Sequence, residues 1–242
     1  MTTARPAFYA ARPGGWRDWW TILHPPYTAW HLSYVVIGAT LAPTTDGTRL
    51  LATLAAFFLA VGVAAHALDE LHGRPLRTSV GSVTLVAAAA VSLAGALALG
   101  AAGLGRVGEG LLVFMAVGPV LVLAYNLELF SGKLHSDIGF AVAWGAFPVL
   151  TAYYVQAERI DTTAVAAALA AFAFSLAQRS LSTPARFVRR RTLAVEGSVT
   201  TTDGAVLVFG EREFLAPMER ALRCLSAAMV ALASALLLAR VW

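Results

Sequence analysis

Apolar residues dominate this chain in long blocks, and short polar clusters punctuate them. Seven stretches approach or exceed the roughly 17–25 apolar residues that cross a bilayer core: 25–45, 49–68, 79–105, 108–127, 138–157, 162–178 and 221–240. The sixth and seventh are short and Ala-rich. The pattern predicts an all-α polytopic membrane protein of about seven transmembrane helices, forming one domain over 1–242 with a polar loop at 179–220. Within that loop TLAVEGSVTTTDGAVLVFGE carries β-branched runs on both sides of Asp203-Gly204. Asp-Gly between such runs is a hairpin signal, so a small β-hairpin is expected in 192–212. The first two dozen residues are aromatic, basic and broken by Pro and Gly, without the apolar core of a cleavable signal. Trp16, Trp19, Trp20, Tyr27 and Trp30 read as an interfacial aromatic belt.

Composition agrees with this reading. Hydrophobic residues make up 58% of the chain and charged residues 13%, about half the charged fraction of soluble domains. The distribution of the basic residues sets orientation, because Lys and Arg are retained on the cytoplasmic side. With the N-terminus inside, Arg5, Arg12, Arg17, Arg74, Arg77, Lys133 and Arg179 lie on cytoplasmic segments, as do Arg186, Arg189, Arg190, Arg191, Arg212, Arg220 and Arg223. Only Arg49, Arg106, Arg159 and Arg240 fall outside. Fourteen against four predicts N-in, C-out, with the chemistry opening toward the cytoplasm of a cell membrane. The net charge of +4 therefore reflects topology and contact with anionic lipid, not nucleic acid. A single cysteine, Cys224, rules out an internal disulfide.

The densest chemistry is HALDELHGRPLRT (66–78), which follows sixteen residues without a charge. His66, Asp69 and Glu70 stand at i, i+3 and i+4, which puts them on one helical face. Such a group can hold a divalent ion or act as acid and base. Mixed His and carboxylate ligands suit Zn²⁺, Mn²⁺ or Fe²⁺ as well as Mg²⁺, and helical bundles build metal sites of this kind. The alternative is a helix end that turns polar on meeting water. His31, Tyr125, Asn126 and Glu128 are candidates to line the same cavity. Arg74, Arg77, Lys133, Arg179, Arg189, Arg190 and Arg191 are candidates for phosphate, since guanidinium groups clasp phosphate oxygens bidentately without a metal. For the triple arginine, topology and anionic-lipid contact form an equal alternative. His24 and His135 read as interfacial, and Asp137 as an N-cap.

Several segments together resemble the UbiA superfamily of intramembrane prenyltransferases. WWTILHPPYTAWHLSYVVIGATLA (19–42) resembles its first helix, with His24-Pro25 where the family has Arg-Pro. LLATLAAFFLAVGVAAHALDELHG (50–73) resembles the second helix, which leads into the first Asp-rich motif. YNLELFSGKLHSDIGFAVAWGAFPVLTAYYVQ (125–156) is similar to the fourth and fifth helices of the menaquinone-type branch. FVRRRTLAVEG (187–197) is similar to the segment after the second Asp motif. The resemblance implies a helical bundle in which Mg²⁺, held between two Asp-rich motifs, binds a prenyl diphosphate for transfer to an aromatic acceptor. The motif residues differ here. His66, Ala67, Glu70 and Arg74 occupy the places of the first motif, with Asp69 beside them. QRSLSTPAR (178–186) stands at the second and contains no carboxylate, and Phe140 replaces the acid early in the fifth helix. The family has nine helices where this chain has room for seven.

The expected function is a divergent UbiA-like membrane enzyme acting on a prenyl or lipidic phosphate or a quinone-type substrate. Its most specific form is prenyl transfer to an aromatic acceptor. Two other readings stay open: a non-catalytic lipid- or quinone-binding protein or complex subunit, and a His/carboxylate metal-dependent enzyme of another reaction type.

Overall fold

The computed structural model describes residues 5–241. Eight helices and one hairpin follow in order: α1 (Trp16–Ile22), α2 (Pro25–Leu41), α3 (Gly47–Leu71), α4 (Ser82–Val107) and α5 (Leu111–Asn126) come first. α6 (Asp137–Ala157), α7 (Thr162–Arg191), β1 (Glu196–Thr200), β2 (Val206–Gly210) and α8 (Glu211–Val241) complete the chain. Five of these, α3, α4, α6, α7 and α8, are long and apolar enough to cross a membrane, which marks a membrane protein. The spans expected at 25–45 and 108–127 are helices of 17 and 16 residues, short of the roughly 20 that span a bilayer without help.

Local chemistry explains where the elements start. Pro25 and Pro26 open α2, where their missing N–H groups cost nothing. Asp46 caps α3 by accepting from the Arg49 N–H at 2.8 Å. Asp161 caps α7 through the Thr163 and Ala164 N–H groups. Ser136, not Asp137, caps α6, accepting from the Gly139 N–H at 3.1 Å. The expected hairpin forms as an antiparallel pair with Ser198 opposite Val208 and Val199 opposite Leu207. Its turn places Gly204 at φ 85°, which suits glycine. The remainder of the expected 179–220 loop is different: α7 continues to Arg191 and α8 starts at Glu211, so most of that stretch is helix. Pro184 and Pro217 lie within these extensions.

α2 is apolar on all sides and sits at the centre of the bundle, packed between α6 and α8. Gly38 permits the closest approach: a Cβ there would meet the Val149 carbonyl of α6. Gly145 does the same for α6 against α7, since its Cβ would fall 2.5 Å from the Ser175 hydroxyl and 2.7 Å from the Ala171 carbonyl. Two helices contain π-helical turns, α3 over Phe58–Ala65 and α6 over Val142–Ala146.

At one end of the bundle arginines tie off helix carbonyls left open by the backbone ladder. Arg49 donates to the Val155 carbonyl at 2.9 Å and to the Arg106 carbonyl, and pairs with Glu158 at 2.9 Å. Arg240 donates to the carbonyls of Thr40 and Ala42, both at 2.7 Å, at the end of α2.

Candidate functional site

The opposite end of the bundle carries the site. A cavity of about 690 Å³ opens there among α2, α3, α5, α6 and α7. His66 and Asp69 line it from α3, as do Arg74 and Arg77 from the loop that follows. Tyr125, Asn126 and Glu128 border it at the end of α5, and His31 reaches it from α2. α7 adds Arg179, Arg186, Arg190 and Arg191 from its C-terminal half. The π-helical turns of α3 and α6 both line it, through Val61 and Trp144, a placement common for such turns at functional sites.

Four of the predicted residues do other work. Glu70 is fully buried and turned into the loop after α3, where its carboxylate accepts from the Leu76 N–H at 2.9 Å and from both the N–H and hydroxyl of Thr78 at 2.8 Å. Three donors occupy it, so it is a loop-holding group and not part of the cavity. Lys133 lines a separate small hollow beside Leu134 and Ile138. Arg189 is spent on Glu219 of α8 at 2.5 Å. Arg74 lines the cavity, but its guanidinium is held by the Val80 carbonyl and by the Ser82 hydroxyl at 2.7 Å.

The metal expectation is not met. Among the described residues no three His, Cys, Asp or Glu side chains gather in a way that could hold an ion. With Glu70 withdrawn, the His66–Asp69–Glu70 set is reduced to two. The Mg²⁺ implied by the UbiA resemblance likewise finds one carboxylate from α3 and none from α7, so these residues do not fit it.

What the cavity offers instead is cationic and aromatic. Arg179 is paired with Asp137 at 2.8 Å and stacks over Phe140. Arg77, Arg186, Arg190 and Arg191 have no carboxylate within ion-pair distance among the described residues. Against them stand Asp69 and Glu128, and the latter lies 3.7 Å from His72. Positive charge is in excess, which is a binding arrangement for an anion.

The histidines are held in defined tautomers. His31 Nδ1 lies 2.8 Å from the Trp144 carbonyl and His66 Nδ1 lies 3.1 Å from the Gly62 carbonyl. A carbonyl only accepts, so each Nδ1 carries the proton and each Nε2 keeps a lone pair. His24, expected to be interfacial, is 7% exposed and lines the cavity with its ring centroid 4.2 Å from that of His66. Its Nε2 has no partner. Burial presses the His24 pKa well below the ordinary imidazole value, and His66, Arg190 and Arg186 push the same way.

Comparison with protein-family models, with curated proteins and with solved structures finds no match. The functional reading therefore stands on the geometry.

Sequence reasoning read His24 as interfacial and Tyr27 as part of an aromatic belt, and placed neither these nor Gln178 in the site. Tyr27 and Gln178 line the cavity, and Gln178 buries an unpartnered Oε1 there. The one available signal for His24 was its place before Pro25-Pro26, where the resembling family carries Arg-Pro.

A second cavity of about 250 Å³ lies between α3, α4, α5 and α6. Ala56, Ala60, Leu93, Leu97 and Phe147 are among its mostly apolar walls. It shares Val61 and Trp144 with the cationic cavity, so the two adjoin at the π-helical turns.

Proposed function

We propose that this membrane protein is a divergent UbiA-like transferase that takes the anionic head group of a prenyl or other lipidic phosphate into the cationic cavity. Arginine, not a divalent ion, faces the phosphate oxygens. The observation that carries this reading is the gathering of Arg77, Arg186, Arg190 and Arg191 around one cavity without carboxylate partners among the described residues. Guanidinium groups offer phosphate bidentate, charge-assisted hydrogen bonds that need no metal. The adjoining apolar cavity supports a ligand with a hydrocarbon tail. The aromatic lining around Tyr125 and Trp144 supports a flat acceptor beside the phosphate, which makes prenyl transfer to an aromatic compound the most specific form. Facing this cavity to the cytoplasm accords with the positive-inside bias.

Thermal unfolding of the detergent-solubilised protein with geranyl diphosphate tests the binding step. Equal stabilisation in Mg²⁺ and in EDTA is expected. Arg186→Ala and Arg190→Ala each weaken binding by roughly 10- to 100-fold, the worth of a hydrogen bond to a charged group. Stabilisation that requires Mg²⁺, or that survives both substitutions, overturns the arginine clasp.

The missing carboxylates at 178–186 favour a second reading, a lipid-binding protein without turnover. Release of diphosphate from geranyl diphosphate in the presence of an aromatic acceptor separates the two. Binding without release identifies the non-catalytic form.

A further inference from the structure

Two features of His24 are unusual for a structural histidine. Its backbone is left-handed, at φ 46° and ψ 57°, a conformation that costs about 1–2 kcal/mol outside glycine. Its buried Nε2 also makes no hydrogen bond. A protein that strains a backbone and leaves a buried ring nitrogen open is holding that nitrogen for something else.

The surroundings show what that is. Tyr9 of the N-terminal segment and Tyr27 of α2 set their rings edge-on or tilted against the imidazole, at 5.2 and 6.4 Å. His31 stands one helical turn further along α2. α3 contributes His66 in ring contact and Asp69 a turn beyond it. α7 contributes Arg186 and Arg190. Burial first, then the positive groups of this field, oppose a proton on His24. An anion among Arg186 and Arg190 reverses the field felt by both rings.

We infer that His24 and His66 form a ligand-contacting pair that takes up one proton from solvent when the anionic head group enters. This inference rests on the anion-binding reading above. The proton adds to a ring-nitrogen lone pair and converts one imidazole to imidazolium, so the bound state is an anion flanked by arginines and one histidinium. Nothing is oxidised and no bond of the ligand breaks. Because the bound form carries the extra proton, affinity rises as pH falls, by about tenfold per pH unit between the pair's value when empty and its higher value when loaded.

Calorimetric titration with geranyl diphosphate in EDTA, repeated in two buffers of different ionisation heat at pH 7.5, counts the protons. His24→Asn is the decisive variant, because asparagine tolerates left-handed backbone and so keeps the turn before Pro25 while removing the titratable ring. The expected result is about one proton more taken up by the unaltered protein than by His24→Asn. The ligand's own proton change is common to both and cancels. His66→Gln reads the same proton from the other member and serves if His24→Asn does not fold. Equal proton counts in the protein and in both variants, with binding intact, overturn the pair while leaving the anion site standing. No heat and no stabilisation with any form overturns both.

Discussion

Asp69 and Glu70 are neighbours in sequence, yet one faces an open cavity and the other is sealed beneath a loop by three donors. Glu70→Gln is expected to cost about 2–3 kcal/mol of stability, since the new amide points N–H groups at backbone N–H donors. Its effect on ligand affinity measured at saturating folded protein is expected to be small. Thermal unfolding and binding curves on the same samples check both halves. Asp18 gives a pH-dependent counterpart. Burial raises its pKa, but donors from Ser79 and the Gly14 N–H outweigh this and hold it below the ordinary carboxylate value. A depressed native pKa stabilises above the unfolded value, about 3.9, and that stabilisation is lost as pH falls through the lower native value. Asp18→Asn should therefore lower the unfolding midpoint at pH 7, with the difference shrinking below about pH 4. Periodicity could place His66, Asp69 and Glu70 on one face, but not decide which would be consumed by the loop that follows. That depended on Leu76 and Thr78 folding back, a contact between residues with no periodic relation. His24 was obscured for a related reason: a lone histidine before two prolines has no periodic pattern, and its place in the cavity comes with a left-handed turn that only the fold reveals.

Helix positions were far more legible than helix ends. Each expected apolar stretch coincides with a helix because apolar length is a strong signal, whereas α7 and α8 run on through polar sequence once they have each other to pack against. Pro184 and Pro217 are both accommodated inside those extensions. The Asp-Gly hairpin was readable from its turn chemistry alone. The π-helical turns were not, since nothing in FLAVGVAA or VAWGA distinguishes them from ordinary helix. Close contacts between elements give a sharp test. Gly38→Ala and Gly145→Ala each drive a methyl group into backbone of a neighbouring helix, and a cost of about 1–3 kcal/mol is expected for such overpacking. Gly103→Ala, whose Cβ would meet Leu111 at an ordinary 3.6 Å, serves as the control and should be nearly neutral. Equal melting of all three variants would mean that the helices separate more easily than these contacts imply.

Charge is sorted along the length of the bundle, with the arginine-rich cavity at one end and the carbonyl-capping Arg49 and Arg240 at the other. The linear distribution of Lys and Arg made this polarity readable, though it could not say that several of the cations share one cavity. In a Cys224→Ala background, a cysteine at Ala205 in the hairpin turn should react with a membrane-impermeant reagent only in inside-out vesicles. One at Thr45 should react only in right-side-out vesicles. The reverse labelling would invert the expected orientation. The segment from Arg5 to Gly15 also spans the cationic end. Arg190 donates to the Pro6 carbonyl at 3.2 Å, Arg223 sits 5.0 Å from the Phe8 ring, Tyr9 lies against His24, and the Ala11 N–H is held by Thr21 at 3.0 Å. This leading segment thus lies over the Arg190 guanidinium and the His24 ring. Anything that pulls it away, from an affinity tag's drag to a protease cut after Arg12, would uncover that ring and loosen that guanidinium, and so weaken the grip on an anion.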